Sequence, residues 1–337
     1  MLAGGRPAPS EAKDSPGRAL LDEVLSVDLH AHPALIPSLA STSVSGHGKA
    51  IASGKVGALF LAAVADSPVL ALRPNGGVYA FRQPQAGELF ASTWRQLDFL
   101  TRSEPQLGLR PVLSGRDLGA TAAAHGRGAI LAVEGCDFLE GRIERVQAAY
   151  DRGVRSLQLV HYRVSELGDI QTEKAVHNGL TPFGRDVVRE MNRLRMLIDL
   201  AHATFDVVKG AVEVSDQPML ISHTNIQDVT SLSRFVSVEH ARLVTDRGGV
   251  IGAWPISIRP AGLAALIEHI ARLVDAVGVE HVGIGTDMDG IGRSAVFSDY
   301  DDWPDIPTGL LARGFNREDV AKIMGGNARR LLEAVTG

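Results

Sequence analysis

Five short apolar runs in this chain end in residue types that can hold a metal ion. The first, Val27–Pro33 (VDLHAHP), carries His30 and His32. Then come Ala129–Gly135 (AILAVEG) with Glu134, Leu197–His202 (LIDLAH), Met219–His223 (MLISH) and Val282–Asp287 (VGIGTD). Imidazole nitrogens and carboxylate oxygens suit zinc and similar divalent ions. Two such ions about 3.5–4 Å apart share a hydroxide whose pKa falls from about 15.7 towards 7, a nucleophile at neutral pH. A nearby carboxylate can orient it and carry its proton to a leaving group. The chemistry is hydrolysis of an amide, an ester or a phosphoester.

Each residue alone has an ordinary explanation. His-x-His pairs occur on plain surfaces, and a buried histidine can be satisfied by a backbone hydrogen bond. Asp287 could cap the following turn. Together these explanations fail, because five strands would each need a separate reason to finish in a potential ligand or base. His30 and His32 are two apart on a strand and so share a face. Glu134 ends an apolar strand, where a lone buried carboxylate is expensive, so it must be paired, ligated or at a wet rim.

The elements that must position these residues alternate. Eight apolar runs read as buried parallel strands, roughly Ser26–Ala31, Val56–Ala65, Gly128–Glu134, Ser156–His161, Met196–His202, Pro218–His223, Gly249–Trp254 and His281–Asp287. Helical patterns lie between them, most clearly Phe90–Thr101, Arg142–Arg152, Phe183–Leu194, Phe205–Val214, Glu239–Arg247 and Gly262–Val277. This alternation predicts an α/β fold, a closed (β/α)8 TIM barrel with C-terminal helices. An open doubly wound sheet would expect a glycine-rich phosphate loop after the first strand, and this chain has His-Ala-His-Pro there. The whole chain, 1–337, reads as one barrel domain with residues 1–24 as a polar lead-in. Pro33–Gly54, rich in Ser, Gly and Ala, and the polar Ser165–Gly179 read as long connections at the catalytic face. Asn316–Val335 reads as two helices, broken and recapped at Gly325-Gly326-Asn327.

Composition narrows the partners. Of 337 residues 45% are apolar, enough for a large core, and the net charge is −5 without basic clusters. A nucleic-acid surface is not expected. The single cysteine, Cys136, excludes an intrachain disulfide and reads as a small residue filling a tight loop. No run is long and apolar enough to span a bilayer, so the expectation is a soluble, cytoplasmic protein without a membrane partner. The oligomeric state is open, with a homo-oligomer among the options.

With these motifs in place, the chain resembles the amidohydrolase superfamily and, within it, the membrane (renal) dipeptidase family of zinc peptidases. The likeness runs from about Leu25 to the C-terminus. It is carried by Gly54–Phe60 (GKVGALF), Val133-Glu134-Gly135, Gly153–His161 (GVRSLQLVH), Asp199–His202 (DLAH) and Ile221–His223 (ISH). Gly248–Gly252 (GGVIG), His281–Gly290 (HVGIGTDMDG) and Gly325–Leu332 (GGNARRLL) complete it.

The resemblance implies two divalent ions, zinc by ligand type. His30, His32 and Glu134 would hold one, and Glu134, His202 and His223 the other. Asp287 would be the acid/base, with Asp289 in reserve. His161 matches a histidine that contacts substrate near the scissile bond, where it could stabilise an oxyanion. Arg234 lies where the family places an arginine for the substrate carboxylate, a pairing that suits its bidentate fork. The implied substrate is a dipeptide with a small or D-configured C-terminal residue. Trp254-Pro255 could wall the pocket.

Two departures stand out. The family carries His-x-Asp on strand one, and here it is His30-Ala31-His32, one negative charge fewer. The family's asparagine-containing segment after the strand-four histidine is replaced by Tyr162–Asp169 (YRVSELGD). Both bear more on dipeptide specificity than on hydrolysis. The same ligand order would also serve an amidase, a lactonase or a TatD-type phosphodiesterase, although a basic groove is lacking. A metal-retaining binding protein is disfavoured by the intact ligand set and Asp287.

Overall fold

Parallel strands covered on both faces need apolar residues at nearly every position. ALFLAAV and AILAV supply them in the second and third strands, whose residues are all buried. The computed structural model describes residues 15–32, 44–74, 76–228, 232–256, 262–290, 296 and 299–337. Eight of its strands form the barrel: β1 (Val27–Ala31), β2 (Ala58–Val64), β3 (Gly128–Glu134), β4 (Val154–Gln158), β5 (Leu197–Asp199), β6 (Leu220–Thr224), β7 (Val250–Ala253) and β8 (Val282–Ile284). They pair in parallel in the order β2-β1-β8-β7-β6-β5-β4-β3, and β2 pairs β3 to close the ring. The closing register runs without a break from Ala58 opposite Gly128 to Val64 opposite Glu134. This is the (β/α)8 barrel that the alternation predicts.

Alternate strand residues divide between two cores. Val27, Leu29, Ala58, Phe60, Ile130, Leu197, Leu220 and Val250 cluster with Ala328, Leu331, Leu332 and Val335 of the last helix, Asn327–Thr336. Their neighbours in sequence, such as Leu59, Leu61, Leu131, Val133 and Ile251, join the larger core beneath the outer helices. The C-terminal helix therefore stops the barrel at the strands' N-terminal end. The other end is left to polar side chains.

The interstrand helices form where the periodicity places them: Glu88–Leu107, Glu144–Asp151, Pro182–Arg193, Phe205–Val214, Val238–Thr245 and Leu263–Val277. Several begin on side-chain caps. Thr181 accepts from Gly184 N–H, Thr204 from Val207 and Ser237 from His240.

Some expectations need correction. Strands β4, β5 and β8 stop before His161, His202 and Asp287. At His202 and Asp287 the backbone turns left-handed (φ 66° and 51°), which ends the ladder and bends the chain across the barrel mouth. The Pro33–Gly54 connection is not all loop: residues 33–43 lie outside the described residues, and Val44–Ser53 is a helix. Part of the lead-in is helical too, at Pro16–Leu21, capped by Ser15 and started by a proline; residues 1–14 lie outside the described residues. At the C-terminus the helix is not broken and recapped. A π-turn at Lys322–Gly326 joins Arg317–Ala321 to Asn327–Thr336. The Asn327 amide donates instead to the Val279 and Val282 carbonyls, tying the helix to β8.

Among the described residues no helix is long and apolar enough to cross a membrane. Ser165–Gly179 is a turn-rich loop. It is held by Asp169, which accepts the Val176, His177 and Gly179 N–H groups.

Candidate metal centre

The ends of β1, β3, β5, β6 and β8 bring all six residues of the ligand series to one place. Glu134 lies at its middle. His30 and His32 stand on one side with their Nε2 atoms 3.1 Å apart, and His202 and His223 on the other, also 3.1 Å apart. Oε1 of Glu134 is 3.3 Å from both His30 Nε2 and His202 Nε2, and Oε2 is 3.4 Å from His32 Nε2. Asp287 Oδ1 lies 3.3 Å from His32 Nε2. All five metal-ligand candidates are at most 3% exposed, and Asp287 is 9% exposed.

Barrel geometry alone does not place His30 and His32 here. Val27 and Leu29 face the interior core, and the β1–β2 pairing shifts register between Asp28 and Ala31. That irregularity brings both imidazoles to the centre. Beneath them, buried Asp28 accepts the His30 and Thr286 N–H groups and the Tyr300 and Thr286 hydroxyls. Buried Asp199 accepts the Ala201 and Ser222 N–H groups at the foot of the other pair. These bonds fix the backbone at the strand ends and so aim the ligands.

Protonation shows whether the cluster fits cations. The Ala62 carbonyl, 2.8 Å from His32 Nδ1, can only accept, so Nδ1 carries the proton. In the neutral ring, the form a metal ligand must take, His32 Nε2 is then a lone pair facing a Glu134 oxygen and an Asp287 oxygen. Three acceptors converging on one point suit a cation, and a divalent ion fits that donor set. Burial holds His202 and His223 well below the ordinary histidine range, keeping them neutral as ligands must be. Burial alone would raise Glu134, but the His161 and His30 charges outweigh it and hold the carboxyl well below its usual range. For His30, burial works downward and the Glu134 charge overcomes it, so a cation there would displace a proton. Among the described residues three groups have ligand atoms close enough to share an ion: His30, His32 and Asp287; His30, Glu134 and His223; and Glu134, His161 and His202.

Asp287, not Asp289, faces this centre. Its N–H donates to the His30 carbonyl, and Gly290 N–H closes the turn onto the Asp287 carbonyl. A Cβ at Gly290 would fall on Asp287 Oδ1, so only glycine leaves the carboxylate where it is. Asp289 turns away, its Oδ2 3.2 Å from Nε2 of buried His47.

His161, just past β4, puts Nε2 3.3 Å from Glu134 Oε1 and Nδ1 2.6 Å from Asp66 Oδ1. Burial would lower its pKa, but Asp66 and Glu134 together raise it to about 9. Arg234 is 4% exposed. Its Nη1 donates to Gln171 Oε1 at 2.6 Å and its Nη2 to the His223 carbonyl at 3.5 Å, while its Nε has no partner among the described residues. The Trp254 ring centroid is 5.3 Å from the guanidinium and 5.8 Å from the His223 ring, so Trp254 does wall this side. Tyr162 lies against the His202 ring and bonds Arg234. Cys136 is buried in a one-turn 3-10 helix after Glu134, the packing role expected of it.

Sequence reasoning missed Asp66, Gln171 and His47. Asp66 carried a readable signal, since it too is a charged residue ending an apolar run (LFLAAVAD). Gln171 and His47 carried none, because long connections deliver them.

A closed (β/α)8 barrel with histidines and carboxylates gathered at the strands' C-terminal ends defines a metal-dependent hydrolase. The sequence profile of the membrane dipeptidase family (peptidase family M19) matches residues 18–337. The chain belongs to that family. Among its relatives is dipeptidase tcpJ of Claviceps purpurea, 28% identical over 298 residues, covering 85% of this chain and 68% of that one. Mouse dipeptidase 3 is 30% identical over 218 residues, covering 61% of this chain and 44% of its own length. The chain spans about half the length of several curated relatives that it matches. A Rhodobacter sphaeroides metallopeptidase, solved with a phosphinate mimic of the dipeptide L-Ala-D-Ala, superposes with a TM-score of 0.78. It is 20% identical, and the match covers 93% of this chain and 99% of that one.

Proposed function

We propose that this protein is a dipeptidase working with two divalent cations, zinc by ligand type. His30, His32 and Glu134 would hold one, and Glu134, His202 and His223 the other. When bound, the cations supply Lewis acidity and lower the pKa of water.

The observation that carries the substrate reading is Arg234. It is a buried cation with no carboxylate partner among the described residues, set against the His202–His223 side of the centre. Unpaired buried charge is costly, and a substrate carboxylate would answer it. Arg234 would bind the C-terminal carboxylate of a dipeptide. His161 would donate from Nε2 to the oxygen of the scissile carbonyl as charge develops there. Asp287 would take the proton from the attacking water and deliver it to the leaving amine, so that water adds across the C–N bond. Trp254 and Tyr162 bound the space around Arg234 and favour a small C-terminal residue. The ligand of the R. sphaeroides structure supports a D-configured one.

The test compares a free dipeptide with its C-terminal amide. The amide should lose about 10–100-fold in kcat/KM, the worth of a hydrogen bond to a charged group. Arg234→Gln should erase most of that difference. Equal rates on both substrates would remove the carboxylate from the account.

A further inference from the structure

Strands β2, β3 and β4 end side by side, and each delivers one residue to a chain of contacts. Val64 pairs with Glu134, and the Ala65 N–H donates to the Glu134 carbonyl at 2.9 Å. Asp66 therefore lies beside the strand end that carries Glu134. On the other side, Cys136 N–H donates to the Leu159 carbonyl, which ties β3 to the chain leading to His161. Asp66 is fully buried. One of its oxygens lies 2.6 Å from His161 Nδ1, and the other accepts the Tyr162 N–H at 3.1 Å. Among the described residues His161 is its only ion-pair partner. A carboxylate clamped at both oxygens cannot swing, and a ring held at Nδ1 by such a group has its plane fixed. The only ring nitrogen left to face the centre is Nε2, 3.3 Å from Glu134.

We propose that Asp66 is a positioning residue for peptide hydrolysis: it clamps His161 at Nδ1 so that Nε2 is aimed at the scissile carbonyl oxygen. This rests on the dipeptidase reading. Among the described residues Asp66 makes no ion pair with the ligand set, so it reaches the centre through His161 at one oxygen and through the Tyr162 backbone at the other; only the first route is lost when residue 161 is changed. A merely structural buried ion pair would not behave this way. Its loss would loosen the barrel mouth, so that zinc content and KM would change along with kcat.

The experiment is a double-mutant cycle on the zinc-loaded full chain, with Asp66→Ala, His161→Ala and both together. Asp66→Asn, which keeps the volume and one acceptor oxygen, is run in parallel in case the alanine variant does not fold. Asp66→Ala should lower kcat by about 10–100-fold, as loss of an orienting partner does. KM should stay within about threefold and zinc content should not change. In the His161→Ala background the same substitution should change kcat less than about threefold. An equal loss in both backgrounds, or a loss confined to KM, overturns the proposal.

Proton NMR tests the pair without turnover. A low-field imidazole proton should appear in the wild type, vanish in His161→Ala and move upfield in Asp66→Asn. Its absence from the wild type overturns the clamp. Its presence in a protein that cleaves no dipeptide would instead sink the dipeptidase reading and leave the clamp standing.

Discussion

Glu134 is the residue on which the centre turns, because its two oxygens face both histidine pairs. Glu134→Gln should cost both cations, and metal analysis of the purified variant would show it. A variant that kept two ions would mean that the histidine pairs suffice alone. Asp287→Asn should do the reverse: full metal content with kcat lowered by about 10²–10⁴-fold, the range for loss of general acid–base catalysis. Why the cluster was legible follows from burial. At the end of an apolar strand a histidine or carboxylate has few fates, so His30, His32, Glu134, His202, His223 and Asp287 could all be marked from sequence. Asp66 obeyed the same rule and was passed over because strand two carries no ligand. The choice between Asp287 and Asp289 was not legible, since it depends on two left-handed residues and the glycine that follows them.

At the scale of elements, strands β6, β7 and β8 approach one another more closely than side chains allow. A Cβ at Gly252 or at Gly285 would collide with the Ser222 carbonyl oxygen. Gly252→Ala should therefore destabilise the barrel by about 2–4 kcal/mol through overpacking, read as a lower denaturation midpoint. The long helix Glu88–Leu107 holds a different penalty. Glu104 is 3% exposed, and burial raises its pKa from the ordinary 4.5 to about 7. Between those values the folded chain binds the extra proton, so its contribution to stability is full below pH 4.5 and is lost as pH rises through 7. Glu104→Gln should stabilise the protein above pH 7 and leave it unchanged near pH 4.5. Urea unfolding at the two pH values checks this, and an equal effect at both would contradict it. The helices were legible because their apolar residues recur with helical period over two or more turns. The helix Val44–Ser53 was not, because SGHGKAIAS reads as a flexible connection until it packs against its neighbours.

For the whole molecule, the ligand series spans the chain from His30 to Asp287, so one bound centre joins five strands of the barrel. Cations that bind only the folded chain stabilise it by mass action, by about 4 kcal/mol at a thousandfold excess over Kd. Chelation should lower the melting midpoint and zinc should restore it, which differential scanning calorimetry would record. The proposal that this centre, with Arg234 beside it, cleaves dipeptides stands or falls on turnover. Its most direct measurement is the rate at which the zinc-loaded chain hydrolyses a panel of L,L- and L,D-dipeptides, with the Asp287→Asn variant as control. Metal-dependent release of both amino acids is expected, fastest for a small C-terminal residue and lost in the control. A fully metal-loaded protein that leaves the whole panel intact would contradict it.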